Sequence, residues 1–572
     1  MIEDVYEPLT RYRDEFREKF SRLTREKFEE LTRASGIDVE ANRRQCARIH
    51  ALEKKLESAK SRRAGLGCLM ALAYTAAAAG VAFACLSGSE HAEALAGGIA
   101  GGCGALGLAI WITSLFSRAG KAVERLKKEI ADAIEVAREQ MEALNRLYTW
   151  DITPRLVEAA VPRLAFDPYF TARRLEDLQR LYGWDDAFNR GKSIVYAQSG
   201  VINGNPFLFG DYLEQRWTNE TYTGSLDIEW EDLERDAKGN LRLVTRRQTL
   251  TAHVEKPKPV YGRRKVLIYG NDAAPDLEFS REPSELSGAR AGILTSLRKS
   301  WQLARLRRYS QNLDDDSQYT LMGNHEFETL FVTKDRTNEV EYRLLFTALA
   351  QTQMLALLKD TSVGYGDDFS FLKRRKINMI HAKHLDEGTL DTAPERFRDW
   401  DYDRAAANFR SFNERYFKDV YFALAPFLAI PLYQQTRNHE EIWKGVIDSE
   451  PAAFWEHEAT ANYYGGERFA HPDSITENIL KTRVVNRADG ECHVEVTAHG
   501  FRGEDRVDYV EVWGRDGNCH DVPVEWVEYL PVRRTSDMTM AGCERAPEAF
   551  RRKFKVSPAS AVRRSILSYL GR

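Results

Sequence analysis

The chain has little net charge, few cysteines and none of the glycine-rich signatures of nucleotide chemistry. Its 82 Lys and Arg stand against 86 Asp and Glu, a formal charge of −4 over 572 residues. No global field therefore marks a nucleic-acid partner, and none is expected. The seven cysteines fall at 46, 68, 85, 103, 492, 519 and 543. No two form a CxxC pair, which argues against a disulfide framework and agrees with a reducing compartment. There is no P-loop, no GxGxxG after a strand, no GxSxG and no kinase signature set. Nucleotide chemistry and serine hydrolysis have no support, and no cofactor is expected.

What the chain does have is two runs free of Lys, Arg, Asp and Glu, residues 64–86 and 94–116. Each has 23 residues, enough at ~1.5 Å per residue to cross about 30 Å of hydrocarbon. Both rely on Ala and Gly more than on Leu or Ile, so they are expected to insert as a pair. The connector, 87–93, carries Glu90 and Glu93; Lys54, Lys55, Lys60, Arg62 and Arg63 precede the pair, and Arg118, Lys121, Arg125, Lys127 and Lys128 follow it. Segments rich in Lys and Arg stay on the cytoplasmic side. The expectation is a multi-pass protein of the cell inner membrane, with the lipid bilayer as partner and both termini cytoplasmic. Gly97 with Gly101 and Gly98 with Gly102 recur four apart, which lets another helix approach closely and points to a homo-oligomer formed through the spans. The alternatives are a glycine-lined channel or transporter subunit, and a buried helix pair in a soluble protein. A pore ordinarily carries ionisable groups inside its spans, and these have none.

Amphipathic stripes flank the runs. Leu9, Tyr12, Phe16, Phe20, Leu23 and Leu31 recur at three or four residue intervals, and Gly36 breaks the pattern. Ile49, Leu52, Leu56 and Ala59 lead into the first run; Val123, Leu126, Ile130, Ala133, Ala137, Met141 and Leu144 follow the second. Facing seams of this kind predict an antiparallel helical stalk, coiled-coil in character.

Beyond Trp150 a helical stretch, 156–181, gives way to strands. Leu226, Ile228 and Trp230 alternate with polar residues, as do Leu250, Ala252 and Val254 across the turn at 236–240, which predicts a hairpin. Lys256-Pro257-Lys258-Pro259 is expected to end the pairing, because proline lacks the amide hydrogen of a ladder. Residues 284–310 read as a basic helix, and Arg298, Lys299, Arg305, Arg307 and Arg308 are its candidate contacts to anionic lipid or a cytoplasmic protein partner. The bland reading of that face is solvation. A strand at 327–333, a helix at 339–359 and a strand at 377–382 then suggest an α+β layer. Residues 421–433 are apolar but short and contain Pro426 and Pro431, so they read as core. Residues 483–532 are strand-rich, and the basic tail from 551 ends as a short peripheral helix. The division is 1–63, N-terminal helices; 64–116, hairpin; 117–150, stalk; 151–312, β-rich with the basic helix; 313–479, α+β; 480–535, β-rich; 536–572, basic tail. The fold class is α+β.

Gly204-Asn205-Pro206-Phe207-Leu208-Phe209, and His325-Glu326-Phe327-Glu328-Thr329-Leu330-Phe331 followed by Asp335-Arg336-Thr337-Asn338-Glu339, resemble stretches of an uncharacterised bacterial family of two-span membrane proteins. The resemblance covers residues 40–430. It implies a cytoplasmic domain of unknown function, brings no activity or catalytic residue with it, and leaves the C-terminal β region outside the pattern.

Candidate chemistry is sparse. Tyr365-Gly366-Asp367-Asp368 spells the metal-binding turn of RNA-dependent polymerases, but no apolar strand precedes it and no companion Asp motif stands upstream. His381 and His384, near Asp386, have ligand types at the end of a strand rather than on one helix face. His325-Glu326 and His457-Glu458 lack the second His of a metalloprotease helix. Cys492-His493 and Cys519-His520 sit on strands, where neighbours point to opposite faces. No metal is expected and no catalytic residue is assigned. The expected role is a membrane-tethered binding or scaffold protein. The second reading is an enzyme at the membrane face using Asp367, Asp368, His381 and His384.

Overall fold

Gly36 takes φ +64°, the left-handed conformation that closes a helix at low cost, and ends α1 (Arg17–Ser35). Asp38 then accepts the backbone N–H of Ala41 at 2.9 Å, an N-cap that starts α2 (Val39–Leu86), and α3 (Ala92–Asn145) returns alongside it. The computed structural model describes residues 7–86, 92–235, 241–284, 321–333, 335–437, 451–488, 491–542 and 566–570. It is mixed α+β and divides into two units: Arg25–Tyr148 with Pro394–Ser411, and Met1–Thr24 with Thr149–Ala393 and Phe412–Arg572.

In the first unit α2 and α3, of 48 and 54 residues, are about 70 and 80 Å long. Cross-helix bonds fix the antiparallel register: Gln45 Nε2 donates to the Ala133 carbonyl at 2.8 Å, and the Tyr74 and Thr113 hydroxyls lie 3.2 Å apart. The charged halves meet through Ile49, Leu52 and Leu56 against Leu126, Ile130, Ala133 and Ala137, with Trp400 beside them. The apolar halves meet through Ala73, Ala109 and Ile112, with Leu66 and Met70 packed against them. Segment 394–411 is tied on by Asn42, whose Nδ2 donates to the Trp400 carbonyl at 2.9 Å. Tyr148, Phe397 and Phe409 pack ring against ring nearby.

The second unit is built on strands β1 (Leu164–Phe166), β2 (Lys192–Ile202), β3 (Asn205–Arg235), β4 (Leu241–Gly270), β5 (Glu278–Arg281), β6 (Phe369–Arg374) and β7 (Ile377–Ala382). They form one antiparallel sheet in the order β1-β2-β3-β4-β7-β6-β5. Its centre is covered on both faces. Ile194, Leu208, Val266 and Ile268 pack with Leu178, Tyr182 and Trp455, while Tyr269 stacks on Phe427 at 4.7 Å and Phe371 meets the same ring at 5.4 Å. Strands β8 (Ile479–Ala488), β9 (Glu491–Trp513), β10 (Cys519–Gly542) and β11 (Ile566–Leu570) form a second sheet in the order β11-β10-β9-β8.

The β3–β4 ladder runs unbroken from Phe207↔Tyr269 to Arg235↔Leu241. Thirty-one residues in β3, at ~3.3 Å each, give a contour of about 100 Å. An isolated two-stranded ribbon of this kind is marginal in water. Here a second ribbon, β9–β10, lies against it, burying Ile228, Leu250, Ala252, Val522 and Val524 between the two. Gly224 permits the approach, since a Cβ there would stand 2.0 Å from the Pro523 carbonyl oxygen.

Several expectations are corrected. The ladder continues through Asn219↔Pro257 and Trp217↔Pro259. The two prolines are two apart and share one phase of the ladder, and β4 has no second neighbour there, so the missing N–H falls where β3 needs no donor. Residues 327–333 do not form a strand: α4 (His325–Leu330) stands there instead, capped by Asn324, whose Oδ1 accepts the Phe327 N–H at 3.2 Å. The single helix at 339–359 is two, α5 (Glu339–Leu345) and α6 (Ala348–Lys359), divided where the Thr347 side chain caps the second. The C-terminal segment expected as a peripheral helix contains β11, paired with β10. The 421–433 run is buried, most of it inside α7 (Tyr402–Leu428).

Candidate functional site

The apolar halves of α2 and α3 are organised inside out. Ala73, Ala77, Ala109 and Ile112 are buried between them, with Leu66 and Met70 partly buried alongside. Other large residues face outward, with Leu72 66% exposed and both Ile110 and Trp111 60% exposed, joined by Leu69, Val81, Leu106 and Leu108. Soluble proteins place large apolar residues the other way and rarely leave so wide an apolar surface uncovered. Among the described residues one helix, Ala100–Asn145, is long and apolar enough to cross a membrane, and only 17% of its apolar window is buried inside the molecule.

Of the glycines expected to pack, Gly102 is buried and Gly101 faces open space, with no atom within 4 Å of where a Cβ would stand. Gly97 and Gly98 belong to α3, but their surroundings lie outside the described residues. So do Arg298, Lys299, Arg305, Arg307 and Arg308. Periodicity did not foretell the Tyr74–Thr113 hydroxyl pair, which the antiparallel register creates.

The two adjacent carboxylates of the 365–368 turn part company. Asp367 is buried and meets Arg281 Nη2 at 2.5 Å, and it accepts the Ser284 N–H at 2.8 Å. The Arg281 guanidinium lies over the Phe331 and Phe369 rings. Asp368 turns to His384, whose ring stacks on Tyr365 at 4.2 Å, nearly parallel. Tyr365 donates to Asp419 Oδ1 at 2.5 Å. Burial pushes both the Tyr365 phenol and the Asp419 carboxyl upward. His381 faces elsewhere, its Nδ1 3.1 Å from the Lys265 carbonyl, and burial lowers it to about 4. Asp386 accepts the Lys265 N–H at 2.6 Å. The structure therefore brings Asp368 and His384 together and places Asp367 and His381 in separate surroundings.

The other candidates are likewise separate. Glu326 pairs with Lys359 at 2.7 Å. Glu458 is buried against Lys481 at 3.2 Å and the Ile194 N–H at 3.0 Å; burial pushes the carboxyl up and the ammonium down. The neighbouring His457 is buried and lowered to about 4. His493 Nδ1 meets the Thr539 hydroxyl and His520 Nε2 meets Asp516. Among the described residues no three His, Cys, Asp or Glu side chains gather as metal ligands. No protein-family model, no curated protein and no solved structure matches this chain.

Proposed function

We propose that α2 and α3 cross a membrane as a hairpin, with the connector at 87–93 on the far side, and tether the second unit as a binding or scaffold module for a cytoplasmic protein partner. The observation that carries this reading is the outward display of Leu72, Ile110 and Trp111 around a narrow seam of Ala73, Ala77, Ala109 and Ile112. Lipid tails satisfy such a surface, and small residues let helices approach in lipid, where apolar side chains gain little by turning inward. The cations before 64 and after 116 fall at one end of the antiparallel pair, away from the end where α2 stops at Leu86 and α3 starts at Ala92, which fits cytoplasmic termini. Copies of the chain associate through the same spans in this reading.

The test is alkaline carbonate extraction with protease protection of a tag inserted at 87–93. The full chain should remain in the membrane fraction, and the tag should be cleaved only from the outside. Release by carbonate, or cleavage of the tag from the cytosolic side, overturns the reading.

A further inference from the structure

A cleft of about 840 Å³ opens between α2 and α3 where their charged halves give way to the apolar ones. Lys54, Lys55 and Arg62 from α2 and Arg118 from α3 stand around it, with Leu66 and Leu115 at its apolar end, and no carboxylate is among the residues that line it. Among the neighbouring cations on the same helices, Lys60 pairs with Glu57 at 2.7 Å, Lys127 with Glu124 at 2.8 Å and Arg125 with Glu129 at 3.0 Å, whereas Lys121 and Lys128 lie outside the cleft without an ion pair to a described carboxylate. Arg63 lies over the Phe116 ring at 4.9 Å. The four cations at the cleft form no ion pair with any described carboxylate. From Lys54 to Leu66 the helix rises about 18 Å, the span of a phospholipid headgroup and the start of its acyl chains.

We infer that this cleft is a binding site for an anionic phospholipid, its phosphate held by Lys54, Lys55, Arg62 and Arg118 and its acyl chains laid along Leu66 and Leu115. The inference rests on the membrane-hairpin reading. Four cations lining one cleft, with no carboxylate among its residues, favour an anionic occupant there. The apolar end of the cleft, continuous with the lipid-facing surface, selects an anion that carries hydrocarbon over a free phosphate. The charges lie at the level where the spans begin, which is the level of lipid headgroups.

The test is native mass spectrometry of the full chain in detergent, titrated with phosphatidylglycerol or with phosphatidylcholine of the same acyl chains. Phosphatidylglycerol should be retained roughly tenfold or more tightly than phosphatidylcholine. The preference should vanish in the K54Q/K55Q/R62Q/R118Q variant, persist when Lys54 and Lys55 are replaced by Arg, and persist in R125Q/K127Q, which lies outside the cleft. Far-UV circular dichroism verifies that the helices survive each change. Equal retention of the two lipids, an equal loss in R125Q/K127Q, or displacement of the lipid by an equal concentration of inorganic phosphate overturns the inference. Carbonate extraction of the same variants separates the two claims: wild-type chain that stays in membranes without lipid preference sinks the site alone, and wild-type chain that washes off sinks the hairpin beneath it.

Discussion

His384 Nδ1 lies 2.5 Å from Asp368 Oδ2, and the opposite ring nitrogen, Nε2, lies 3.0 Å from the Asp419 carbonyl oxygen. A carbonyl only accepts, so Nε2 carries a hydrogen. The contact on the other side then needs a further proton shared between imidazole and carboxylate. Both side chains are largely buried, with 4% and 16% exposure, so the pair is a structural lock between the short helix after β7, Lys383–Glu387, and the turn before β6.

Replacing that carboxylate discriminates sharply. In Asp368→Asn the amide can turn its NH₂ toward Nδ1, which accepts once the ring is neutral, and the cost should be about 1 kcal/mol. In Asp368→Ala nothing faces Nδ1, and the loss should approach about 3 kcal/mol. Urea denaturation of the two variants measures the gap; equal costs would show that the pair is not held by hydrogen bonding.

The paired ribbons give a second prediction. Gly224→Val places a branched side chain where even a Cβ meets the Pro523 carbonyl at 2.0 Å, so the ribbons must separate. Gly262→Ala, on the same hairpin with nothing within 4 Å, is the control. Hydrogen exchange should lose protection around Ile228, Leu250, Val522 and Val524 in the valine variant alone, while β2 and the proximal part of β3 stay protected, because the seven-stranded core does not depend on the distal ribbon. Loss of protection throughout would mean that the ribbons and the core unfold as one.

The buried histidines set a pH dependence. His381 and His457 ordinarily titrate at 6.5 and are lowered to about 4 by burial. Above pH 6.5 both are neutral whether the chain is folded or not. As pH falls toward 4 the unfolded chain takes up protons that the folded rings refuse, so stability drops across that window and this contribution levels off below it. Each ring accounts for about 3 kcal/mol. Urea midpoints between about pH 7 and about pH 4.5 should fall steeply in the wild type and less steeply in His381→Gln or His457→Gln. An unchanged slope would show that these rings are protonated in the folded state.

Patterns that repeat along the chain are legible in the sequence. Ile49, Leu52 and Leu56 face Leu126, Ile130 and Ala133 because a period near 3.6 puts them on one stripe whatever the helix meets. The alternation from Leu226 to Trp230 and from Leu250 to Val254 marked a hairpin for the same reason. Local spacing did not separate helix from strand at 327–331. Phe327, Leu330 and Phe331 suit either, and the choice fell to helix through the Asn324 cap and packing against Phe279 and Phe346.

Sequence by itself determined where the chain is greasy, where its charge collars lie and which residues share a stripe or a strand face, since those depend only on near neighbours and backbone period. Tertiary structure alone decided that the β3–β4 ribbon runs on to residue 235 against a partner nearly 300 residues away. It also decided that Asp367 and Asp368 answer to Arg281 and His384 rather than to each other, and that four cations from two helices line one cleft. Each of these joins positions far apart in the chain, and such encounters are set by packing, which no short window of sequence contains.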